Sequence, residues 1–81
     1  MKLVQASSWF KEDGMLKSRV VLRFNKDNKV TPWVTHLECE DSDGSTHYVW
    51  GNYYSEYLQA EQDFFKRCDK YQIGVEVSIS V

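Results

Sequence analysis

The chain has 81 residues, of which 42% are hydrophobic, 15% aromatic and 27% charged, and its formal net charge is −2 at neutral pH. A chain of this length predicts one domain over residues 1–81, because two halves would each bury too little apolar surface to be stable. The acidic balance argues against a protein that holds duplex DNA mainly by neutralising phosphates.

The first half of the chain predicts strands and turns. Residues 3–10 form a first strand, which ends at a turn over residues 11–14. A second strand follows, because apolar residues alternate there with basic ones; the apolar residues are Leu16, Val20, Leu22 and Phe24. Residues 25–29 supply turn-forming side chains, and residues 33–39 return as a third strand. These two strands form an antiparallel hairpin.

The register of that hairpin follows from the burial of one face. If Phe24 lies opposite Trp33, then Val20 lies opposite Leu37, and the apolar side chains of both strands share one side of the sheet. A slip of one residue would turn one of the two apolar sets toward water, so we expect this register.

An Asp-Gly turn follows, and residues 46–50 return as a fourth strand, which completes a three-stranded meander. The facing of this strand stays open. A four-residue loop places Tyr48 and Trp50 on the core side, whereas a three-residue loop places His47 and Val49 there and turns both rings outward.

The last third of the chain predicts a helix and a strand. Residues 55–69 have helical apolar spacing, with Ser55 as the N-cap and Glu56 just inside, at the positive end of the helix dipole. Residues 73–81 alternate strictly between apolar and polar, the period of a strand with one buried face. The predicted fold class is therefore α+β, with an antiparallel meander sheet of four to five strands, one helix packed on one face, and the order β-β-β-β-α-β.

Four segments resemble a pattern in a family of small bacterial and phage proteins: PWVTH at 32–36, DG at 43–44, YVWGNYY at 48–54 and DFFKR at 63–67. The resemblance covers about half of the chain. It implies a strand, an Asp-Gly turn, a strand that ends in Trp-Gly, and a helix. It also implies a bacterial or mobile-element origin. The resemblance implies no particular activity.

Residues that could hold a metal or act as a nucleophile do not form a recognisable site. The side chains of the right type are His36, Cys39, His47 and Cys68. On a strand His36 and Cys39 point to opposite faces, and no paired Cys or His motif occurs. Cys39 with His47 is the one nucleophilic pair that can be constructed, and only with the three-residue loop. We therefore expect no metal, no cofactor and no catalytic residue. An enzyme of unknown class is the third hypothesis for the function, and a deep pocket that holds His36 or His47 would support it.

Export and membrane signals are also missing from the sequence. The first residues lack the pattern of a signal peptide, and no apolar run has the length of a membrane span. Two widely separated cysteines in such a chain are expected to stay reduced, so the expected location is the cytoplasm.

A nucleic-acid interface is one candidate for the function. Rings stack on bases while cations hold phosphates, so a sheet face that carries both suits a single strand. The candidate residues are Lys17, Arg19, Arg23, Lys26, Lys29 and Trp50. In the derived register Arg19 lies opposite Glu38, so a cross-strand charge pair is the competing interpretation.

Protein recognition is the favoured hypothesis, because the chain has more ring surface than one small interface between a helix and a sheet can hide. The candidate aromatic anchors are Trp9, Phe10, Tyr53, Tyr54 and Tyr57, and the candidate acidic contacts are Glu38, Glu40, Asp41 and Asp43. An exposed edge strand offers strand addition or a homodimer as a second route. In size and composition the chain is similar to small phage inhibitors, anti-CRISPR proteins included, which act by steric blocking. We therefore expect a regulatory protein that binds a larger host protein, such as a nucleic-acid-binding complex.

Overall fold

A computed structural model describes residues 1–11 and 17–79. The elements are β1 (Lys2–Ser7), β2 (Lys17–Phe24), β3 (Trp33–Glu40), β4 (Thr46–Tyr54), α1 (Tyr57–Tyr71) and β5 (Val75–Ser78). The strands form one antiparallel sheet in the order β4-β3-β2-β1-β5, and α1 packs on one face against β2, β3 and β4. The predicted α+β class and element order are confirmed. The helix lacks the length and apolar character that crossing a bilayer would need.

The β2–β3 hairpin has the predicted register. Phe24 pairs with Trp33 and Val20 with Leu37. The side chains on this face pack against the buried stripe of α1, where Phe64 is completely buried. Burial of a phenylalanine side chain contributes about 1.5 to 3 kcal/mol, and its loss in a core costs about 3 to 5 kcal/mol. Phe64→Ala is therefore the single change that most directly separates helix from sheet.

Strand β4 takes the three-residue-loop alternative. The Asp41 amide donates to the Ser45 carbonyl at 2.8 Å, which closes a short loop around Gly44. Val49 lies opposite Leu37 on the core side, and the Tyr48 ring therefore faces away from the helix. The strand continues to Tyr54 instead of ending at residue 50.

The predicted start of the helix at Ser55 is wrong. Because β4 extends to Tyr54, Ser55 and Glu56 are needed to leave the sheet, and the helix begins at Tyr57. Glu56 is the N-cap, in an extended conformation without a capping hydrogen bond from its side chain, and the first turn holds no acidic residue. At the other end Gln72 adopts φ 56°, and its amide donates to the Asp69 carbonyl, as in common helix C-caps.

The two outer strands on the β1 side depart most from prediction. Strand β1 ends at Ser7, and Phe10 forms an isolated bridge to Ser18. Strand β5 was expected to bury one face, but Val75 and Ile79 are 40% and 44% exposed. Among the described residues the helix packs mainly on β2 to β4, and β5 is left largely exposed, whereas Val4 of β1 is buried in the core. Most of the predicted turn at 11–14 lies outside the described residues. So do residue 16, predicted in the second strand, and residue 81, predicted in the last strand.

Candidate functional site

The face of the sheet opposite the helix, called here the open face, carries a connected set of polar and aromatic side chains. The Arg19 guanidinium lies 4.6 Å from the centre of the Trp9 ring, and its Nε donates to Glu38 Oε2 at 2.5 Å. The Tyr48 hydroxyl donates to Glu38 Oε1 at 3.3 Å, and Arg23 covers the Tyr48 ring at 4.2 Å. These five residues form the open-face network, in which each ring or charge restrains its neighbour.

The cations proposed for nucleic acid are divided by the fold. Lys17 Nζ lies 3.2 Å from Glu40 Oε2, so this lysine, like Arg19, faces a carboxylate on β3. Lys26 and Lys29 lie in the turn after β2, where Lys29 Nζ donates to the Lys26 carbonyl. Trp50 belongs to β4, which lies two strands from β2. On the open face Lys17 and Arg19 therefore face carboxylates and Arg23 covers the Tyr48 ring, so these cations do not form a row of free charges.

His36 lies beneath this network. Its side chain is nearly buried, its ring stacks on Tyr48 with 4.6 Å between centroids, and Nε2 has no hydrogen-bond partner among the described residues. Burial, together with the nearby charges of Arg23 and Arg67, lowers the pKa of His36 to about 4, although Glu38 opposes the shift. The imidazole is therefore neutral at pH 7 and a weak base.

The β3–β4 hairpin holds its carboxylates in a fixed arrangement. Ser45 Oγ and the Ser45 amide both donate to Asp43 Oδ1, at 2.6 and 2.9 Å, and these bonds lower the pKa of Asp43. His47 Nδ1 lies 2.9 Å from Asp41 Oδ2. Nowhere in residues 1–11 and 17–79 do three or more His, Cys, Asp or Glu side chains group in a way that could hold a metal ion. The turn of the hairpin therefore presents carboxylates whose side chains are held by hydrogen bonds.

The aromatic anchors expected from the sequence do not form one cluster. Trp9 belongs to the open-face network. Tyr53 lies opposite Val34, which places it on the same face as Arg23, and it is 58% exposed on the edge strand β4. The other three rings, Phe10, Tyr54 and Tyr57, pack against the core on the helix side. Those three rings therefore contribute mainly to the interior, and of the five anchors Trp9 and Tyr53 lie outside it.

The cysteines are buried thiols. Cys39 pairs with His47 across the hairpin, but it is 1% exposed and its sulfur accepts a hydrogen bond from the Ser18 hydroxyl at 3.5 Å. Burial, with a smaller contribution from the charge of Asp69, raises the pKa of Cys68 to about 11. Neither sulfur is placed to attack a substrate from solvent.

A second feature was not foreseen from the sequence: an open cleft of about 550 Å³ between β4 and the C-terminal half of α1. Two of its functional side chains come from β4 and four from α1: Trp50, Asn52, Asp63, Lys66, Arg67 and Lys70. The basic residues recur at helical spacing, which alone indicates only a solvated helix face. Their placement beside the Trp-Gly sequence of β4 depends on the fold.

One carboxylate organises this cleft. Asp63 Oδ2 accepts hydrogen bonds from Thr35 Oγ1 at 2.5 Å, Asn52 Nδ2 at 3.2 Å and Arg67 Nε at 3.2 Å. Burial alone would raise the pKa of Asp63, but these donors and the charge of Arg67 outweigh it and lower the pKa. Arg67 also donates through Nη2 to the Trp50 carbonyl at 2.6 Å, so β3, β4 and α1 are joined at this point.

Comparison of the chain with protein-family models, with curated proteins and with solved structures finds no match. The resemblance to small bacterial and phage proteins therefore stays a prediction.

Proposed function

We propose that this chain is a small non-enzymatic interaction protein that binds a larger protein through its open face and the acidic β3–β4 hairpin. The observation that supports the proposal most directly is the open-face network. It consists of Trp, Tyr and Arg side chains with one carboxylate, and Trp, Tyr and Arg are the residue types enriched among interface hot spots. Each is held by its neighbour, so little side-chain freedom is lost on binding.

The charge distribution favours a protein over a nucleic acid on this face. Lys17 and Arg19 already face Glu40 and Glu38, at 3.2 and 2.5 Å. A phosphate would have to compete with these carboxylates. Asp41 and Asp43 at the adjoining hairpin would also repel a polyanion. Paired charges beside exposed rings match the polar rim and aromatic centre of a protein interface.

The hairpin indicates the kind of surface that the partner presents. Glu40 ends β3, and Asp41 and Asp43 follow it in the exposed turn. Such a projection fits a basic surface, and the steering of oppositely charged patches raises the association rate. The proposed partner is a host nucleic-acid-binding complex whose basic surface the protein occupies, so that it acts as a stoichiometric steric inhibitor of phage or mobile-element origin.

A site-specific cross-linking experiment tests this proposal. A photo-reactive amino acid replaces Tyr53 on β4 in one variant and Leu58 on α1 in another. These two side chains are similarly exposed, at 58% and 65%. We expect the reagent at position 53 to capture one protein in the source cell, in a one-to-one adduct, and the reagent at position 58 to leave that protein uncaptured. Equal capture at both positions would place the contact elsewhere.

Binding of the captured protein is then measured with purified variants by calorimetry. We expect Tyr53→Ala to weaken binding by about 2 kcal/mol, or about 30-fold, as for an interface hot spot. Leu58→Ala is the matched control and should change the affinity less than twofold. Reversal of charge at Asp43 to Lys should slow association and reduce its dependence on salt. An affinity unchanged by Tyr53→Ala would contradict the proposal.

A further inference from the structure

We infer that the cleft between β4 and α1 is a binding site for a nucleotide unit, with the base stacked on Trp50 and the phosphate held by Lys66 and Lys70. The ligand is either a free nucleotide or one unit of a single strand. This site lies at the β4 edge on the helix side of the sheet, whereas the proposed protein interface lies on the opposite face.

The state of the three tryptophans distinguishes Trp50 from the others. The Trp9 ring is covered by the cations of Lys17 and Arg19, and Trp33 packs against Phe24 and Tyr57. The Trp50 side chain is 65% exposed. Within the described part of the chain no ring and no cation lies over its indole. It is therefore a free stacking surface at the mouth of a cleft.

The backbone of Trp50 adopts a strained conformation. Trp50 and Gly51 together lie opposite His36, a β-bulge in which Trp50 adopts φ 58°. Left-handed backbone is unfavourable for a bulky residue, and the neighbouring glycine could adopt it without strain. The Arg67 side chain fixes the bulge by donating to the Trp50 carbonyl. Because this strain is not offset by packing of the ring against the protein, we expect the ring to contact a ligand.

The charges in the cleft supply the second half of the site. Lys66 and Lys70 lie one helical turn apart, both exposed, and neither forms an ion pair with a described carboxylate. Arg67 is already bound to Asp63, so the cations that no described carboxylate neutralises are Lys66 and Lys70, and Lys70 Nζ lies 5.5 Å from the centre of the Tyr71 ring. Asn52 adds a neutral amide, and the cleft is within the size range of small-molecule sites. An exposed ring beside cations that no described carboxylate neutralises is the combination that binds nucleotides.

Fluorescence anisotropy of a labelled oligothymidylate at low salt tests the site. Loss of a stacked base contact in Trp50→Ser should weaken binding about 5- to 150-fold, whereas Trp50→Tyr, which keeps a ring, should retain most of the affinity. The double variant Lys66→Gln with Lys70→Gln should lower the slope of log affinity against log salt by about 1.4. The matched control, Lys26→Gln with Lys29→Gln, removes the same charge from the turn after β2 and should leave both quantities nearly unchanged.

Competition identifies the source of the nucleotide. If thymidine monophosphate displaces the oligomer at a concentration similar to that of unlabelled oligomer, counted per nucleotide, the site is for a free nucleotide. If only longer strands displace it, the site is for a single strand. Absence of binding at low salt, or an equal loss in the control variant, would overturn the inference. So would a polyglutamate peptide that binds with the same dependence on Trp50 and the two lysines. Urea unfolding of each variant verifies that the fold is intact.

Discussion

Replacing Asp63 with alanine removes the carboxylate that joins β3, β4 and α1. The buried Thr35 hydroxyl then loses its acceptor, and an unpaired buried hydroxyl costs about 1 to 3 kcal/mol. The Asn52 amide is exposed and can turn to water, and the Arg67 pair on the helix adds about 0.3 to 0.5 kcal/mol. We therefore expect Asp63→Ala to lower the free energy of unfolding by about 2 to 3 kcal/mol, a large part of the roughly 4 to 12 kcal/mol typical of a domain of this size.

Urea denaturation followed by circular dichroism measures this loss as a decrease of about 1 to 2 M in the midpoint. A second substitution shows its cause. Thr35→Val removes the orphaned hydroxyl, so Asp63→Ala with Thr35→Val should be about 1 kcal/mol more stable than Asp63→Ala alone. Asp69→Ala changes an exposed carboxylate on the same helix and is the control, which should stay within about 0.5 kcal/mol of the parent chain, as is usual for surface substitutions. A double variant no more stable than Asp63→Ala would refute the reasoning.

The pH dependence gives an independent measurement of the same carboxylate. The pKa of Asp63 is lower in the folded chain than its ordinary value, so its ionised form is the one that stabilises the fold. That stabilisation is complete above the unfolded pKa of about 4 and is lost as the pH falls through the lower folded value. The difference in unfolding free energy between the parent chain and Asp63→Ala should therefore narrow below about pH 4.

Three further outcomes are expected. Trp50→Gly should raise the free energy of unfolding by about 0.5 to 1 kcal/mol in urea titrations, because glycine accepts φ 58° without strain, and it should abolish the proposed nucleotide binding. The pKa of His36, followed by NMR, should lie at about 4 and rise in Arg23→Gln. Because the folded pKa is depressed, stability due to neutral His36 is complete above about pH 6.5 and declines toward pH 4. Cys39 and Cys68 should resist alkylation in the native protein, as judged by mass spectrometry, and react once urea unfolds it.

The sequence predicts the strand register correctly where only one register buries all the apolar side chains. The β2–β3 register could be derived because Val20, Phe24, Trp33 and Leu37 must share a face. The prediction is wrong at the edge of the sheet. The apolar alternation of β5 predicts a buried face, but the helix covers only the strands on which it packs, and alternation does not tell how far that cover extends.

The candidate site was less predictable, because its geometry depends on pairs of elements distant in sequence. Phe10, Tyr54 and Tyr57 are of the residue types that anchor interfaces, yet their rings pack against the hydrophobic core. The strain at Trp50 could not be inferred either, since in a Trp-Gly pair the glycine is the residue expected to take positive φ. The lysines of α1 indicate a binding site only when the fold places them beside the Trp50 ring, which the sequence does not show.

The topology also brings the two ends of the described chain together. Strand β5 pairs with β1, with Ser78 opposite Gln5, so the first and last strands form one edge of the sheet. Strand β4 forms the other edge, four strand spacings or roughly 19 Å away. A surface linkage attached to an exposed residue of β5 would therefore lie at the edge of the sheet opposite Trp50.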